Sequence, residues 1–580
     1  MPKPALKVDN ALSPYSSTKS KTVTFYDGKM QPHEYTPFVH DKGDYDAWCA
    51  IFEAITPQFV ETPDSSLLCC IDESTARQMS VHEFQDILRR RSAIVITNYA
   101  RERLEFNLEG LGKLADVDHQ MDIQDQTLPV LEGNFQCRVF AGTLRDLYKT
   151  SIEPPNKKKS LNALFLPNAH ALVEETPYAT DVHAVHRIAG HDKHCIRQML
   201  TAEIRFSLAA TQGAHHYYHI DSRGDGTFID VVKGEKLWVI AEPKVRKKET
   251  STRQWTKENL DLTCLDPSQW NVEAVLLTEG TRLIMRPGTV HAAFTTADAI
   301  CRGGHFLATS TMSQTLYGAI HSFFKGQVIT NIDQPSIQSR VNAIICYFYK
   351  SMVLDKPDLR HPPNISTQHG LEQLLATVCL AELQNVICGL SYLATNEDLF
   401  VWRLQEAGIS ADEALSEYDV SAATYSMRME NVYSRGRAIG LLKAVFARVT
   451  IQDSEGNAVE GWSELFIPML AQLIVALRNY YQMAFENAEG DEGSDTTDED
   501  CQQRDDDLVD FTIPPSSLFY RQLEWTSSRW PELQAAVDRL SLDDDNSSFL
   551  AWDFPQITIT AVSSPLHSCK KSLPHIGIGL

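Results

Sequence analysis

The stretch "HHYYHID", His215 to Asp221, sets three histidines within five residues and an aspartate two beyond the last. Side chains alternate along an extended strand, so His219 and Asp221 point to one side and can offer a nitrogen and an oxygen to one ion. A third ligand must come from elsewhere in the chain. His291, in "RPGTVHAAFTT", stands early in another strand-like run just after a Pro-Gly turn, 72 residues after His219. Several strands of a folded sheet can close that separation. Two neutral imidazoles and one carboxylate on one face of an octahedron are the ligand set of non-haem Fe(II) oxygenases, and they leave three positions open. A structural zinc site closes with four ligands, often sulfur, and no cysteine lies near this motif.

A histidine and an aspartate two apart arise by chance in many proteins. Lys236, fifteen residues after Asp221, adds information. Its ammonium, on an inward-facing strand, can hold the distal carboxylate of a cosubstrate whose other end chelates iron. With these residues in view, "HID…VVKGEKLWVIAEP" and "RPGTVHAAFTTADAICRGGHF" resemble the JmjC family of Fe(II)- and 2-oxoglutarate-dependent oxygenases. The resemblance is strongest to the branch that includes histone-lysine demethylases, and it covers roughly residues 200 to 312.

The resemblance implies that His219, Asp221 and His291 bind Fe(II) and that Lys236 pairs with the C5 carboxylate of 2-oxoglutarate. It implies a double-stranded β-helix, a cupin-like jelly roll, with flanking helices. The reaction implied consumes O2 and 2-oxoglutarate, releases succinate and CO2, and hydroxylates a substrate C–H; on an N-methyl group, formaldehyde then leaves. The expected substrate is a protein, such as a methylated histone tail, and the expected location is the nucleus rather than the cytoplasm. Two positions depart from the family pattern. Ile229, eight residues after Asp221, stands where a polar side chain often helps hold the cosubstrate; Thr227, of the same strand parity, is the candidate substitute. His216 stands where relatives can carry a hydroxyl, and it can serve the cosubstrate or compete for the metal. Alternatives are therefore a protein hydroxylase of the same fold, an oxygenase of small molecules, or an interaction scaffold with a silent metal site.

The elements that must position these residues are legible in part. "TFIDVVKGEKLWVIAEP" and "AVLLTEGTRLIMRPGTVHAAFTT" alternate, are rich in β-branched residues and are broken by Gly and Pro turns, the pattern of a sandwich, barrel or jelly roll. Upstream, "YDAWCAIFEAI" has helical spacing. "SVHEFQDILRRRSAIVITNY" reads as a helix capped at Ser80 followed by a strand, Ala93 to Thr97. After about Ser313 three long runs, from Gly370, Asn431 and Ser463, carry helical periodicity. The fold class expected is mixed α+β. Its parts are an unstructured segment 1–43, a JmjC-type region 44–330, a helical domain 331–485, an acidic linker 486–512, and a tail 513–580 with one short helix.

At 580 residues with 43% hydrophobic composition the chain can build sizeable cores. A net charge of −23 argues against docking the whole surface on nucleic acid, which needs clustered cations. Twelve scattered cysteines with no CxxC pair suit a reducing compartment. The N-terminus shows no apolar signal core, and no run is long enough to span a bilayer, so a soluble intracellular protein is expected. A second group, His183, His186, His191 and His194 ahead of Cys195, reads mainly as polar surface, with metal binding a poor second.

Overall fold

Residues 22–55, 66–99, 103–129, 138–188, 199–221, 224–244, 265–325, 337–354, 358, 360–387, 425–490, 517–541 and 554–561 are described in this computed structural model. The chain divides into two compact units, 1–182 with 199–337 and 183–198 with 338–580.

The first unit opens with a hairpin of β1 (Val23–Tyr26) and β2 (Pro32–Tyr35), followed by helix α1 (Lys42–Ala54). The expectation of no fixed structure across 1–43 therefore fails for residues 22–43. Composition is a poor guide there, because Phe25, Tyr35 and Val39 are buried against α1 and the main sheet. Next come β3 (Leu68–Asp72), helix α2 (Glu73–Gln78), helix α3 (Val81–Arg90) and β4 (Ala93–Thr97). The α3 cap at Ser80 is where the sequence indicates, and the structure makes it a capping box, with Ser80 and Glu83 each satisfying the other's backbone N–H. The remaining strands are β5 (Met121–Asp125), β6 (Val139–Gly142), β7 (Leu161–Pro167), β8 (Arg205–Ala210), β9 (His215–His219), β10 (Gly226–Pro243), β11 (Trp270–Leu277), β12 (Thr281–Met285) and β13 (Val290–Phe306).

Strands β3 to β13 form one mixed sheet, parallel only between β3 and β4. Its spine is the antiparallel pair β10–β13, 18 and 17 residues long. Both strands change neighbours half-way. The first half of β10 pairs with β12 and its second half with β11, while the first half of β13 pairs with β9 and its second half with β8. The change falls where the β10–β13 register slips between Val231 and Lys236. Bulges bend strands, and here Gly234 supplies φ of +80° with the Asp298 backbone too close to admit a Cβ.

The bend makes two wings, and one apolar cluster is shared between them. Trp238, Ile240, Val275 and Ala293 from one wing pack with Phe206, Leu208, Ile229, Leu283 and Met285 from the other. Outside the first wing, α1 buries Trp48, Ile51 and Phe52 on Phe294 and Leu237. Outside the second, Phe84 and Leu88 of α3 pack on Ile94, Ile284 and Phe306. Between the wings Gly303 leaves room for the Phe206 ring and places its own backbone against Ile229, whose Cδ1 would lie 2.9 Å from an added Cβ. Gly303→Ala is expected to cost about 1–3 kcal/mol as overpacking, read as a lower urea midpoint with the cooperativity unchanged.

The second unit is mainly helical. Its helices are Ile337–Met352, Gln368–Leu383, Tyr425–Phe446, Ile467–Gly490, Ser517–Ser527 and Pro531–Ser541, and a short antiparallel pair joins β14 (Val449–Asp453) to β15 (Ile557–Ala561). Buried amides stitch the helices, Asn342 donating to Asn431 at 2.7 Å and Asn385 to Gln522 at 2.6 Å. Periodicity indicates the helices but not the β14–β15 pair, whose partners lie about a hundred residues apart in sequence. The acidic linker was expected from 486, yet the helix runs on to Gly490; the rest of that segment lies outside the described residues. No described helix is long and apolar enough to cross a membrane.

Candidate metal centre

His219 and His291 sit directly opposite one another on the antiparallel pair β9–β13, with ring centroids 4.2 Å apart. Asp221 follows two residues beyond the end of β9. One ligand atom from each of His219, Asp221 and His291 lies within 4.8 Å of the other two. The three residues singled out from sequence are thus brought together.

The tautomers are set by the strands themselves. Nδ1 of His219 lies 2.8 Å from the Tyr217 carbonyl, and Nδ1 of His291 lies 2.9 Å from the Thr289 carbonyl. A carbonyl can only accept, so each Nδ1 carries a proton and Nε2 is the nitrogen left to face a metal. Burial first, and the neighbouring His291 second, push the His219 pKa down to about 3, so its ring is neutral near pH 7. Burial alone would raise the Asp221 pKa; the nearby His291, His305 and His219 outweigh it and hold the carboxyl below its ordinary value. Trp238 stacks on His291 at 5.4 Å and 14°, and its Nε1 donates to the Met285 sulfur at 3.2 Å, which fixes the ring plane. Two imidazoles and a carboxylate, with no thiol in the pocket lining, fit an open Fe(II) site better than a closed zinc site.

Lys236 lines the same pocket and is 5% exposed. Its ammonium donates to Thr295 Oγ1 at 3.2 Å and has no carboxylate partner among the described residues. Burial lowers its pKa. An ammonium so placed favours an anion in the pocket, because a buried charge without a partner is costly. Ile229 also lines the pocket and joins the apolar cluster between the wings. Thr227 lines it too, but its Oγ1 lies 3.1 Å from His305 Nδ1. The Thr227 hydroxyl thus serves a histidine that sequence reasoning passed over.

His216 enters the pocket as well and stacks on His219 at 4.1 Å and 28°. Three residues apart on a regular strand, the two would face opposite sides. The β9–β13 register slips by one between His291 and Ala293, and that extra residue turns both inward. Burial first, then the neighbouring His219 and His291, push His216 well below its ordinary pKa. Asn162 and His305 add to the polar lining. Neither had a local signal, because each reaches the pocket through strand pairing: Asn162 opposite Ala210 and His305 opposite Thr227.

His215 also lines the pocket and joins a buried network beside it. Its Nε2 lies 3.4 Å from Asp44, which also accepts from Arg138 at 2.8 Å and from the Tyr217 hydroxyl at 2.5 Å. Gln126 bonds both the backbone N–H and the carbonyl of His215. His215 is thus packed among hydrogen-bonding groups, and Tyr217 ties β9 to α1. In the second histidine group, His183 Nε2 pairs with Asp358 at 2.8 Å and its ring stacks on His361; His191, His194 and Cys195 lie outside the described residues.

No family model matches the chain. Over 158 residues it is 25% identical to the JmjC domain-containing histone demethylation protein 1 of Mycosarcoma maydis. That similarity points to the JmjC family. It covers 26% of this chain and 24% of that protein, so the chain spans about a quarter of the length of the relative it matches.

Proposed function

We propose that this chain is an Fe(II)- and 2-oxoglutarate-dependent oxygenase acting on protein, built on a double-stranded β-helix. The observation that carries the reading is the meeting of His219, Asp221 and His291 in one pocket with a buried lysine that has no acidic partner among the described residues. The bent spine β10–β13, with apolar side chains from both wings in one cluster, supports the roll. His219 and His291 would hold the metal through Nε2 and Asp221 through its carboxylate. Bound there with 2-oxoglutarate and O2, iron supplies the oxidant for hydroxylating a substrate C–H. The residues supply orientation: the Tyr217 and Thr289 carbonyls hold the imidazole protons away from the metal side, and Lys236 offers its ammonium to the distal carboxylate.

Lysine N-methyl demethylation, on a histone-type tail, is the specific reaction we favour, with a nuclear location. The similarity to a histone demethylation protein of M. maydis supports it; protein hydroxylation needs the same pocket chemistry. The deciding assay measures succinate from 2-oxoglutarate with Fe(II) and ascorbate, followed by formaldehyde release from methylated peptides. Lys236→Ala is expected to raise the 2-oxoglutarate requirement by roughly tenfold to a hundredfold, since a charge-assisted contact is worth about 1.5–3 kcal/mol. An unchanged requirement would place the anchor elsewhere.

A silent scaffold is the second reading, favoured by the apolar Ile229 and the bulky His216 inside the pocket. The readings part on whether a divalent metal and 2-oxoglutarate together raise the melting temperature, since ligands that bind only the folded state stabilise it.

A further inference from the structure

Along the pocket the spine keeps one register without a slip, from Lys236 opposite Thr295, through Trp238 opposite Ala293, to Ile240 opposite His291. Side chains two apart on a strand face the same way, and Lys236, Trp238, Ala293 and His291 line the pocket. Thr295 therefore stands on the face that carries the metal ligand His291, four residues further along β13. That is about 13 Å of strand.

Thr295 is 1% exposed, and its Oγ1 lies 3.2 Å from Lys236 Nζ. An ammonium can only donate, so the hydroxyl oxygen accepts, and two ammonium protons stay available to an anion. Among the described residues Thr295 is the one side chain that bonds Lys236. Thr295 is itself clamped. Its N–H donates to the Ala214 carbonyl at 2.8 Å, and its carbonyl accepts from the Gly213 N–H at 2.9 Å. Gly213, at φ of +90°, sits so close to Phe38 that a Cβ would meet the Phe38 carbonyl oxygen at 2.5 Å. Branching at Cβ restricts the Thr295 rotamer in turn. A lysine stem is flexible, and without this contact the ammonium would follow carboxylates to several depths. We propose that Thr295 is a positioning residue that sets the length of cosubstrate the site accepts. It pins the Lys236 ammonium at one end of the span whose other end is the metal held by His291. This rests on the cosubstrate reading above.

The test is calorimetry on the full chain loaded with Mn(II), titrated with 2-oxoglutarate, the one-carbon-shorter oxaloacetate and the one-carbon-longer 2-oxoadipate. The wild type is expected to favour 2-oxoglutarate. Thr295→Val should lower that preference against both neighbours by about tenfold or more, the scale of one lost hydrogen bond to a charged group. Thr295→Ser, which keeps the hydroxyl, should discriminate as the wild type does, and both variants should hold Mn(II) with wild-type affinity. An unchanged preference in Thr295→Val would overturn the proposal. So would a Thr295→Ser that discriminates as poorly as Thr295→Val, or a Thr295→Val that loses Mn(II), since packing rather than the hydroxyl would then be responsible. A wild type that binds all three acids alike would overturn this role and leave the cosubstrate reading in place. One that binds Mn(II) but none of the three would overturn the cosubstrate reading, and this role with it. Should Thr295→Val fail to fold, Thr295→Ala removes the same hydroxyl and takes its place.

Discussion

Replacing Asp221 with alanine is expected to abolish Fe(II)-dependent conversion of 2-oxoglutarate to succinate, by at least about a hundredfold, and His219→Ala is expected to do the same. The triad supplies three ligands, and losing one exceeds the 10–100-fold cost of losing a group behind a ligand. Asp221 is only partly buried and lies outside any strand, so the substitution should leave the fold standing. Circular dichroism and the melting temperature without ligands would then match the wild type. The shift on adding Mn(II) with 2-oxoglutarate, about 2.7 kcal/mol when ligand stands at a hundred times its Kd, should vanish. Full turnover in either variant removes the proposed site.

Asp44→Ala is expected to lower stability by about 3–5 kcal/mol, the cost of leaving a buried charge uncompensated. Asp44 and Arg138 have side chains only 4% exposed, joined at 2.8 Å, and Asp44 also takes the Tyr217 hydroxyl. Without the carboxylate, the guanidinium stays behind a closed wall with no counter-charge. Burial would raise the Asp44 pKa, but His215 and Arg138 outweigh it and hold the carboxyl well below the usual range. The sign follows: a depressed folded pKa gives stability present above the unfolded carboxylate value near ~3.9 and lost as pH falls below it. Urea midpoints should therefore separate wild type from variant widely at pH 7 and less at pH 3. Replacing both partners with apolar residues should recover much of the loss. A variant as stable as wild type at pH 7 would show that the pair is not held as described.

The network reaches the metal centre through one strand. Tyr217 and His215 flank His216 in β9, and Gln126 clamps the same stretch. α1 thus buries its apolar face on the outer wing while its first turn secures the strand that ends in the HxD pair. Stability of the N-terminal helix and geometry of the site share these groups.

Much of the centre was legible in the chain itself. The two-residue spacing paired His219 with Asp221 although Asp221 stands past the end of β9, the Pro-Gly turn marked the strand that carries His291, and the KGEK run set Lys236 on an inward face. Ser80 declared the start of α3 through the local chemistry of helix capping. These features are short-range: a few residues of spacing determine which way a side chain points. Only the tertiary structure decided the rest. His216 faces inward because β9 gains a residue against β13, His305 meets Thr227 because β10 and β13 pair in one register, and Asp44 reaches His215 across 171 residues of chain. The hairpin at residues 23–35 owes its order to the α1 and sheet side chains that bury it. Periodicity states the face a residue presents but not the partner it meets, because register between distant strands is settled by packing over the whole wing.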